Sequence, residues 1–225
     1  MLHALKLYDQ WQIIPFLKGR GGSGKSTVAM VVKHFFEVGD VGILSNNSEK
    51  TFGLQALLDK FIWLCLELKR NVKLDQAEFQ SMVSGEDVMV AQKNHIARQV
   101  TWCAPGLLCG NEAPGWIDAQ GSIARRMAII TFPFSLQERD VVPNLLSQIL
   151  DKELPTLIVK CNQAYRATCE QHNQDDIWKV LPEYFKNERL RFQKDTDAVY
   201  AAVFDRHRFE LWKDIDNNND AYESY

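Results

Sequence analysis

Residues 19–27, Gly-Arg-Gly-Gly-Ser-Gly-Lys-Ser-Thr, have the composition and spacing of a loop that binds nucleotide phosphates. They fit the pattern G-x-x-x-x-G-K-[ST], in which glycines let several backbone N–H groups approach the phosphates. Lys25 is expected to reach the β- and γ-phosphates of ATP, and the Ser26 hydroxyl to hold Mg²⁺. The residues expected to contact the nucleotide are Gly19, Gly21, Gly22, Ser23, Gly24, Lys25, Ser26 and Thr27.

The sequence on either side of this loop supports the same interpretation. A random chain of this length shows the pattern roughly once in a hundred tries. Residues 11–17 form an apolar run that is typical of a buried strand. Apolar residues after the loop recur at helical spacing: Val28, Ala29, Val31, Val32, Phe35 and Phe36. Strand, glycine loop and helix form the order that a phosphate-binding loop requires, so we predict nucleotide binding.

Two polar residues that follow other apolar runs have the chemistry for hydrolysis. Glu67 follows the run at 61–66, and a carboxylate there can hold Mg²⁺ through water or polarise the attacking water. Leu66 stands where a second acid is usual, which leaves open whether Glu67 serves metal, water or both. Asn111 follows the run at 105–110, where its amide can orient water or touch the γ-phosphate. The alternatives are a solvated loop glutamate and an ordinary turn asparagine.

Cationic residues occur at two further places. Lys93 and His95 lie between two alternating segments within 88–102, which predicts a hairpin with a basic tip suited to phosphate-backbone contact. Arg125 and Arg126 precede a predicted strand, and a guanidinium there can stabilise phosphoryl-transfer charge on a neighbouring subunit's nucleotide. The alternatives are a solvated turn for the hairpin tip and a surface ion-pair patch for the arginines.

The elements that position these residues predict an α/β fold of the P-loop NTPase kind. Strands alternate with helices, which favours a mainly parallel sheet flanked by helices, with nucleotide at the carboxyl ends of the strands. The predicted strands are 11–17, 41–45, 61–66, 105–110 and 127–132, besides the hairpin. The predicted helices are 24–37, 52–60 after an N-cap at Asn46-Asn47-Ser48, 75–84, 138–150, 154–171, 177–185 and a stretch over 195–212. The expected domains are an ATPase core at 1–135, a smaller all-helical region at 136–213 and a flexible tail at 214–225.

Composition limits which partners and which cellular location we expect for this chain. The net charge of −3 provides no global basic field, so any contact with nucleic acid must be local. The five cysteines include no C-x-x-C pair, and we expect them to be buried reduced thiols in an intracellular, not secreted, protein. No apolar run reaches about 18 residues, so no membrane partner is expected.

Taken in order, these motifs resemble the superfamily 3 helicases, ATPases of the AAA+ class found in DNA viruses and mobile elements. The chain is similar in particular to the C-terminal helicase part of primase–helicases of large nucleocytoplasmic DNA viruses and related phages. The resemblance covers roughly residues 10–205. It is carried by 19–26, the run ending at Glu67, 84–87 with the Lys93 hairpin, 105–114, 124–127 with 132–134, and later by 153–155, 164–165 and 178–185.

The resemblance implies a motor for viral or mobile-element DNA replication in the host cytoplasm or nucleus. Such proteins form a hexameric ring, hydrolyse ATP with Mg²⁺ between subunits and draw single-stranded DNA through the pore. By position, Lys25 and Ser26 would bind phosphate and Mg²⁺, Glu67 would be the acid of the B motif, and Asn111 the sensor. Lys93 and His95 would be the pore-hairpin residues. Either Arg125 or Arg126 would be the arginine finger acting in trans.

The chain departs from the family pattern at its start. Family members carry an oligomerisation region, and often a primase domain, before the first strand, so a hexamer on forked DNA is expected once such a region is supplied. The alternative is a truncated nucleotide-binding relative that acts as an interaction module without productive ring assembly. A small-molecule kinase would use the same loop but needs a lid and a substrate pocket, and the basic hairpin, Asn111 and the arginine pair argue against it.

Overall fold

The computed structural model describes residues 9–45, 53–118, 120–172 and 174–196. Its strands are β1 (Ile14–Gly19), β2 (Val41–Ile43), β3 (Ile62–Leu68), β4 (Asp87–Val90), β5 (Arg98–Thr101), β6 (Gly106–Gly110) and β7 (Met127–Phe132). Its α-helices are α1 (Lys25–Lys33), α2 (Gln76–Ser84), α3 (Leu145–Lys152), α4 (Leu154–His172), α5 (Ile177–Val180) and α6 (Glu183–Thr196). Short 3-10 turns lie at Val38–Asp40, Gly53–Leu57, Ala124–Arg126 and Glu138–Asp140.

Five of the strands form one parallel sheet in the order β2-β3-β6-β1-β7. Strands β4 and β5 form a separate antiparallel hairpin, as their alternating pattern predicts. Each parallel pair needs a long crossover connection, and the loops and helices between the strands supply it. The predicted fold class, an α/β fold with a mainly parallel sheet flanked by helices, is confirmed.

The two faces of the sheet bury different partners. Neighbouring residues of a strand point to opposite faces, so Phe16 packs with α2, the hairpin and α6, whereas Leu17 packs with α1. The first core contains Phe79, Met82, Val88, Val90, Trp102 and Phe192, and the second contains Ala29, Val41, Ile62, Leu64, Leu107 and Cys109. Burial on both faces explains why the sheet strands read as continuous apolar runs.

Helix α6 closes the edge of the sheet at β7. The Thr131 N–H donates to the Tyr184 hydroxyl at 2.7 Å, and the Thr131 hydroxyl donates to the Glu188 carboxylate at 2.5 Å. Phe192 from the same helix is 1% exposed in the first core. An edge strand presents unpaired backbone groups, and the side chains of Tyr184 and Glu188 cover part of the edge at β7. Helix α6 is thus tied to the sheet.

Three predicted helices differ from the observed ones because of prolines and a left-handed residue. The helix predicted from 138 begins at Leu145, since Pro143 restricts the backbone before it. The helix predicted at 177–185 is split by Pro182 into α5 and α6. In the segment predicted as a helix at 52–60, the described part is only a 3-10 turn followed by Asp59 at φ 59°. The predicted cap at 46–48, the stretch beyond 196 and the tail at 214–225 lie outside the described residues.

Candidate functional site

A cleft of about 780 Å³ lies at the carboxyl ends of the central strands β1, β3 and β6. Parallel sheets bind ligands at this edge, because loops and helix N-termini converge there. The cleft is lined by Gly21, Gly22, Ser23, Gly24, Lys25, Ser26, Thr27, Leu66, Glu67, Leu68, Lys69, Gly110, Asn111, Glu112, Leu136 and Val141. It therefore brings most of the glycine loop together with Glu67 and Asn111.

The glycine loop has the geometry of an anion site. Gly24 precedes α1 at φ 91°, a backbone conformation that side-chain-bearing residues rarely adopt. No side chain caps this N-terminus, so the first N–H groups of α1 and its positive dipole end face the cleft. A Cβ on Gly24 would meet no atom within 4 Å, which leaves room in the loop. The residues present therefore fit a nucleotide's phosphates.

Lys25 is held by the loop to which it belongs. Its side chain is buried, and Nζ donates to the Arg20 carbonyl at 2.7 Å and to the Ser23 hydroxyl at 3.2 Å. Both acceptors are neutral, so anionic phosphate oxygens would make stronger hydrogen bonds with the same ammonium. The loop thus holds the Lys25 ammonium beside the N-terminus of α1.

Gly19 has a packing role distinct from the rest of the loop. It does not line the cleft, whereas residues 21–27 do. A Cβ at Gly19 would lie 2.4 Å from the Phe132 carbonyl oxygen, because Gly19 pairs with Phe132 across β1 and β7. The close approach of the two strands therefore requires glycine at this position.

Glu67 lies inside β3 rather than after it, so the predicted strand end was wrong by two residues. The pairing of β3 with β6 shifts register between Cys65 and Leu68, and both residues pack in the first core. This irregularity interrupts the alternation of side chains, so that Leu68 takes the inward position and Glu67 lines the cleft. The Glu67 carboxylate, 77% exposed, pairs with Lys69 at 3.5 Å.

Asn111 lies between the glycine loop and Glu67. Gly110, the last residue of β6, pairs with Lys18 of β1 on one side and with Leu68 of β3 on the other. Neighbouring strands are about 4.8 Å apart, so Asn111 follows at the level where β1 enters the loop. The structure therefore brings the predicted phosphate, acid and amide residues to one place.

Four of the cleft residues that were not predicted from the sequence add charge or apolar surface to the site. Glu112 and Lys69 carry charge into the cleft, and Leu136 and Val141 add apolar surface. The Leu136 N–H donates to the Gly22 carbonyl at 2.9 Å, which ties the segment after β7 to the glycine loop. Glu112 could have been predicted from the sequence, since it directly follows Asn111. The other three residues reach the cleft only because of the way the chain folds.

The two arginines lie at the opposite end of the sheet from the cleft. Met127, directly after them, pairs with Ile14 at the start of β1, whereas the glycine loop follows the end of β1. A rise of about 3.3 Å per residue separates these two ends by roughly 16 Å. Neither arginine lines the cleft of its own chain.

The surroundings of the two arginines differ. Arg126 is 6% exposed, and its guanidinium donates to the Ser84 hydroxyl at 3.1 and 2.8 Å and to the Ser122 carbonyl at 2.8 Å. Desolvation, followed by the adjacent Arg125, lowers the pKa of Arg126. Arg125 is exposed, and its carbonyl accepts from the Trp178 indole at 2.7 Å. Arg126 thus fastens the turn, while the Arg125 side chain faces outwards.

Lys93 and His95 lie on the exposed tip of the β4–β5 hairpin. The base of this hairpin is anchored, since Val88 and Val90 are buried in the first core. The Lys93 N–H donates to the Gln55 side chain at 3.1 Å, which fixes the tip against a neighbouring turn. Hydrogen bonds from Thr101 and then Gln99 lower the pKa of Asp87, so this carboxylate stays charged at the hairpin base.

The cysteines divide into two groups. Cys65, Cys109 and Cys169 are buried free thiols, as predicted, whereas Cys103 and Cys161 are exposed, where that prediction was wrong. Burial raises the pKa of Cys65 to about 12 and that of Cys109 to about 11. Within the described ranges, no three His, Cys, Asp or Glu side chains form a metal-binding group, and no helix is long and apolar enough to cross a membrane.

Comparison with known proteins gives one family match and several structural ones. Residues 17–126, just under half of the chain, match a family described as a family of unknown function, DUF5906. No curated protein matches the sequence. The apo A form of the NrS-1 C-terminal region superposes with a TM-score of 0.50 at 17% identity, over 65% of this chain and 35% of that one. JCV helicase with a bound acetamide compound gives a TM-score of 0.47 at 17% identity, over 68% of this chain and 44% of that one.

The match to the NrS-1 region supports the α/β fold and does not establish an activity. At 17% identity, the likeness to the NrS-1 region is one of fold alone. The chain spans about a third of the length of that region. The chain thus has the α/β fold found in part of the NrS-1 C-terminal region.

Proposed function

We propose that this chain is an ATP-dependent DNA helicase motor of the superfamily 3 type, acting in viral or mobile-element DNA replication. The observation that carries the proposal is the strand order β3-β6-β1. This order places Glu67, Asn111 and Lys25 around one cleft at the carboxyl edge of the sheet. A phosphate loop, a carboxylate that can polarise water and an amide that can orient it are groups suited to hydrolysis of ATP.

The chemistry follows from the positions of these groups. In hydrolysis, a water oxygen bonds to the γ-phosphorus while the bond from that phosphorus to the β–γ bridging oxygen breaks, releasing ADP and phosphate. Glu67 would polarise the water and take its proton, and Asn111 would orient it. Lys25 would stabilise charge on the phosphates. Mg²⁺, held by the Ser26 hydroxyl with a nearby carboxylate, would neutralise phosphate charge.

A second copy of the chain would complete the site. Arg125 is exposed at the end of the sheet away from its own cleft, so it suits a finger that reaches a neighbouring subunit's nucleotide. Arg126 is the weaker candidate, because its guanidinium is already bonded to Ser84 and Ser122. Assembly into a hexameric ring, with an upstream oligomerisation region and a primase domain or other replication partners, belongs to this proposal.

The β4–β5 hairpin would contact single-stranded DNA. Its exposed tip carries Lys93 and His95 on a rigidly anchored base, in a chain whose net charge is −3. A local cation on a projecting hairpin can meet the phosphate backbone without attracting nucleic acid to the whole surface. This arrangement favours a motor that holds DNA at one place over a small-molecule kinase.

The ATPase rate of the purified chain, measured with and without single-stranded DNA over a range of protein concentrations, tests the proposal. A helicase motor should show a rate that rises more than linearly with protein concentration and increases further with DNA. A low rate that is proportional to protein and unaffected by DNA would contradict a motor for this chain alone. That result would favour the alternative, a nucleotide-binding interaction module.

A further inference from the structure

We propose that Glu112 supplies the second carboxylate of the ATP site and holds the hydrated Mg²⁺, an inference that rests on the proposed nucleotide-binding function. In β3, Leu66 stands directly before Glu67 and packs against the core on the α1 face. Leu66 also lines the cleft, but its side chain carries no oxygen that could bind a cation. The strand that carries Glu67 therefore offers one acid, and a second must come from elsewhere.

Strand β6, after which Glu112 follows, lies nearer to the strand that enters the phosphate loop than β3, which carries Glu67. Gly110 pairs with Lys18 of β1, so Glu112 follows two residues later, beside the start of the loop. Strand β6 is the direct neighbour of β1, whereas β3 is the second neighbour. With a strand spacing of about 4.8 Å, the end of β6, which Glu112 follows, lies one spacing from β1, and β3 lies about two spacings away.

The charges around the two glutamates favour different roles. Glu67 pairs with Lys69 at 3.5 Å. Glu112 is exposed in the cleft, and in the described part of the chain its carboxylate forms no hydrogen bond or ion pair. A carboxylate in the cleft that also holds the phosphate loop is a suitable partner for Mg²⁺, which prefers oxygen ligands and keeps several of its waters. Glu112 would bind those waters, which leaves Glu67 for the attacking water.

A competing role for Glu112 comes from a neighbouring cavity. Glu112 and Asn111 also border a space of about 430 Å³ that contains Lys18 and Arg70. Lys18 is already paired with Asp195 at 3.5 Å, and Arg70 is exposed. If Glu112 served these cations, its removal would not change how magnesium affects nucleotide binding, so the two roles are distinguishable by experiment.

Binding of the fluorescent nucleotide mant-ATP, measured in magnesium and in EDTA, tests this assignment without relying on hydrolysis. Wild-type protein should bind about tenfold more tightly in magnesium than in EDTA. Glu112→Gln should lose most of that gain, while its affinity in EDTA stays the same or rises, since a negative charge beside the phosphates is removed. Glu112→Asp should keep part of the gain, and Glu67→Gln should keep it in full.

Glu37→Gln is the matched control, because Glu37 is an exposed glutamate that does not line the cleft. A magnesium gain that survives in Glu112→Gln, or is lost instead in Glu67→Gln, would overturn the assignment of Glu112. Wild-type protein that binds no mant-ATP under either condition would overturn the proposed function, and the Glu112 assignment with it. Binding in EDTA with no gain from magnesium would leave nucleotide binding in place and contradict the metal role.

Discussion

Arg125 and Arg126 are adjacent in the sequence and meet different surroundings in the fold. The sequence leaves the choice of an arginine finger open, because spacing cannot say which side chain is buried. In the structure, Arg126 bonds to Ser84 and Ser122, and only Arg125 faces outwards. Burial decides between them, and it depends in part on the contact with Ser84, which lies 42 positions earlier in the chain.

Substitution of each arginine by alanine should separate stability from activity. Arg126→Ala should lower the free energy of unfolding by about 2 kcal/mol, since it removes charge-assisted hydrogen bonds from a buried turn. Arg125→Ala should change that free energy by less than about 0.5 kcal/mol but reduce the ATPase rate. Denaturant unfolding and ATPase assays on both variants check this. A stable, inactive Arg126→Ala protein beside an active Arg125→Ala protein would reverse the assignment.

Lys93→Ala should weaken binding of single-stranded DNA and reduce the slope of log affinity against log salt by about one charge. The physical reason is the loss of one phosphate contact from the hairpin tip. Basal ATP hydrolysis should stay unchanged. Lys73→Ala, which removes an exposed lysine outside the hairpin, is the control. Equal DNA affinities and salt slopes for both variants would show that the hairpin tip is only a solvated turn.

At the scale of elements, the sequence predicted whether a segment is a helix or a strand better than it predicted where some of these elements end. The helix beginning after Asp75 is found as expected, because the Asp75 carboxylate accepts from the N–H groups of Ala77 and Glu78. The strand end before Glu67 was wrong, because the register shift in β3 arises from its pairing with β6. A strand's apolar pattern can be read from the sequence, whereas such an irregularity depends on the neighbouring strand.

Packing of helix α6 on the sheet is expected to stabilise the folded protein. Phe192→Ala should lower the free energy of unfolding by about 3 to 5 kcal/mol, because the ring is buried in the first core. Leu190→Ala on the same helix should cost much less, since Leu190 is 43% exposed. Denaturant unfolding followed by circular dichroism measures both. Similar small losses would mean that α6 does not stabilise the sheet.

At the scale of the whole molecule, the sequence predicted the fold class and most of the residues that line the cleft, but not the strand order that brings them together. Lys25, Glu67 and Asn111 each follow an apolar run, so alternating strands and helices predict that they meet at one edge of the sheet. The position of β6 between β1 and β3 could not be read from the chain, since strand order depends on long-range pairing. Leu136 and Val141 were overlooked because only the fold brings them to the cleft, whereas Glu112 directly follows Asn111 in the sequence.

The burial of thiols predicts how the folded protein reacts and how its stability varies with pH. Cys103 and Cys161 should react with a thiol reagent in the native protein, and Cys65, Cys109 and Cys169 only after unfolding. Burial raises the pKa of Cys65 and Cys109 from 9.0 to about 12 and 11, so the unfolded chain loses these protons first. The free energy of unfolding should therefore fall as pH rises above about 9.

Reagent titration of native and denatured protein, with mass spectrometry of the labelled peptides, checks this division. Unfolding measured in denaturant between pH 8 and pH 10, a range of about one unit on each side of the ordinary thiol pKa, checks the sign. Rapid native labelling of Cys65 or Cys109, or stability that rises over this range, would contradict the burial of these side chains in the two cores.

Calorimetric titration of ATP in magnesium, compared between wild-type protein and Lys25→Ala, tests the central claim that the cleft is a nucleotide site. Lys33→Ala is the control, because Lys33 lies on the same helix but does not line the cleft. We expect one ATP per chain, an affinity weakened at least about tenfold in Lys25→Ala, and no change in Lys33→Ala. Equal affinities for wild type and Lys25→Ala, or no binding of ATP by the wild-type chain, would contradict the account.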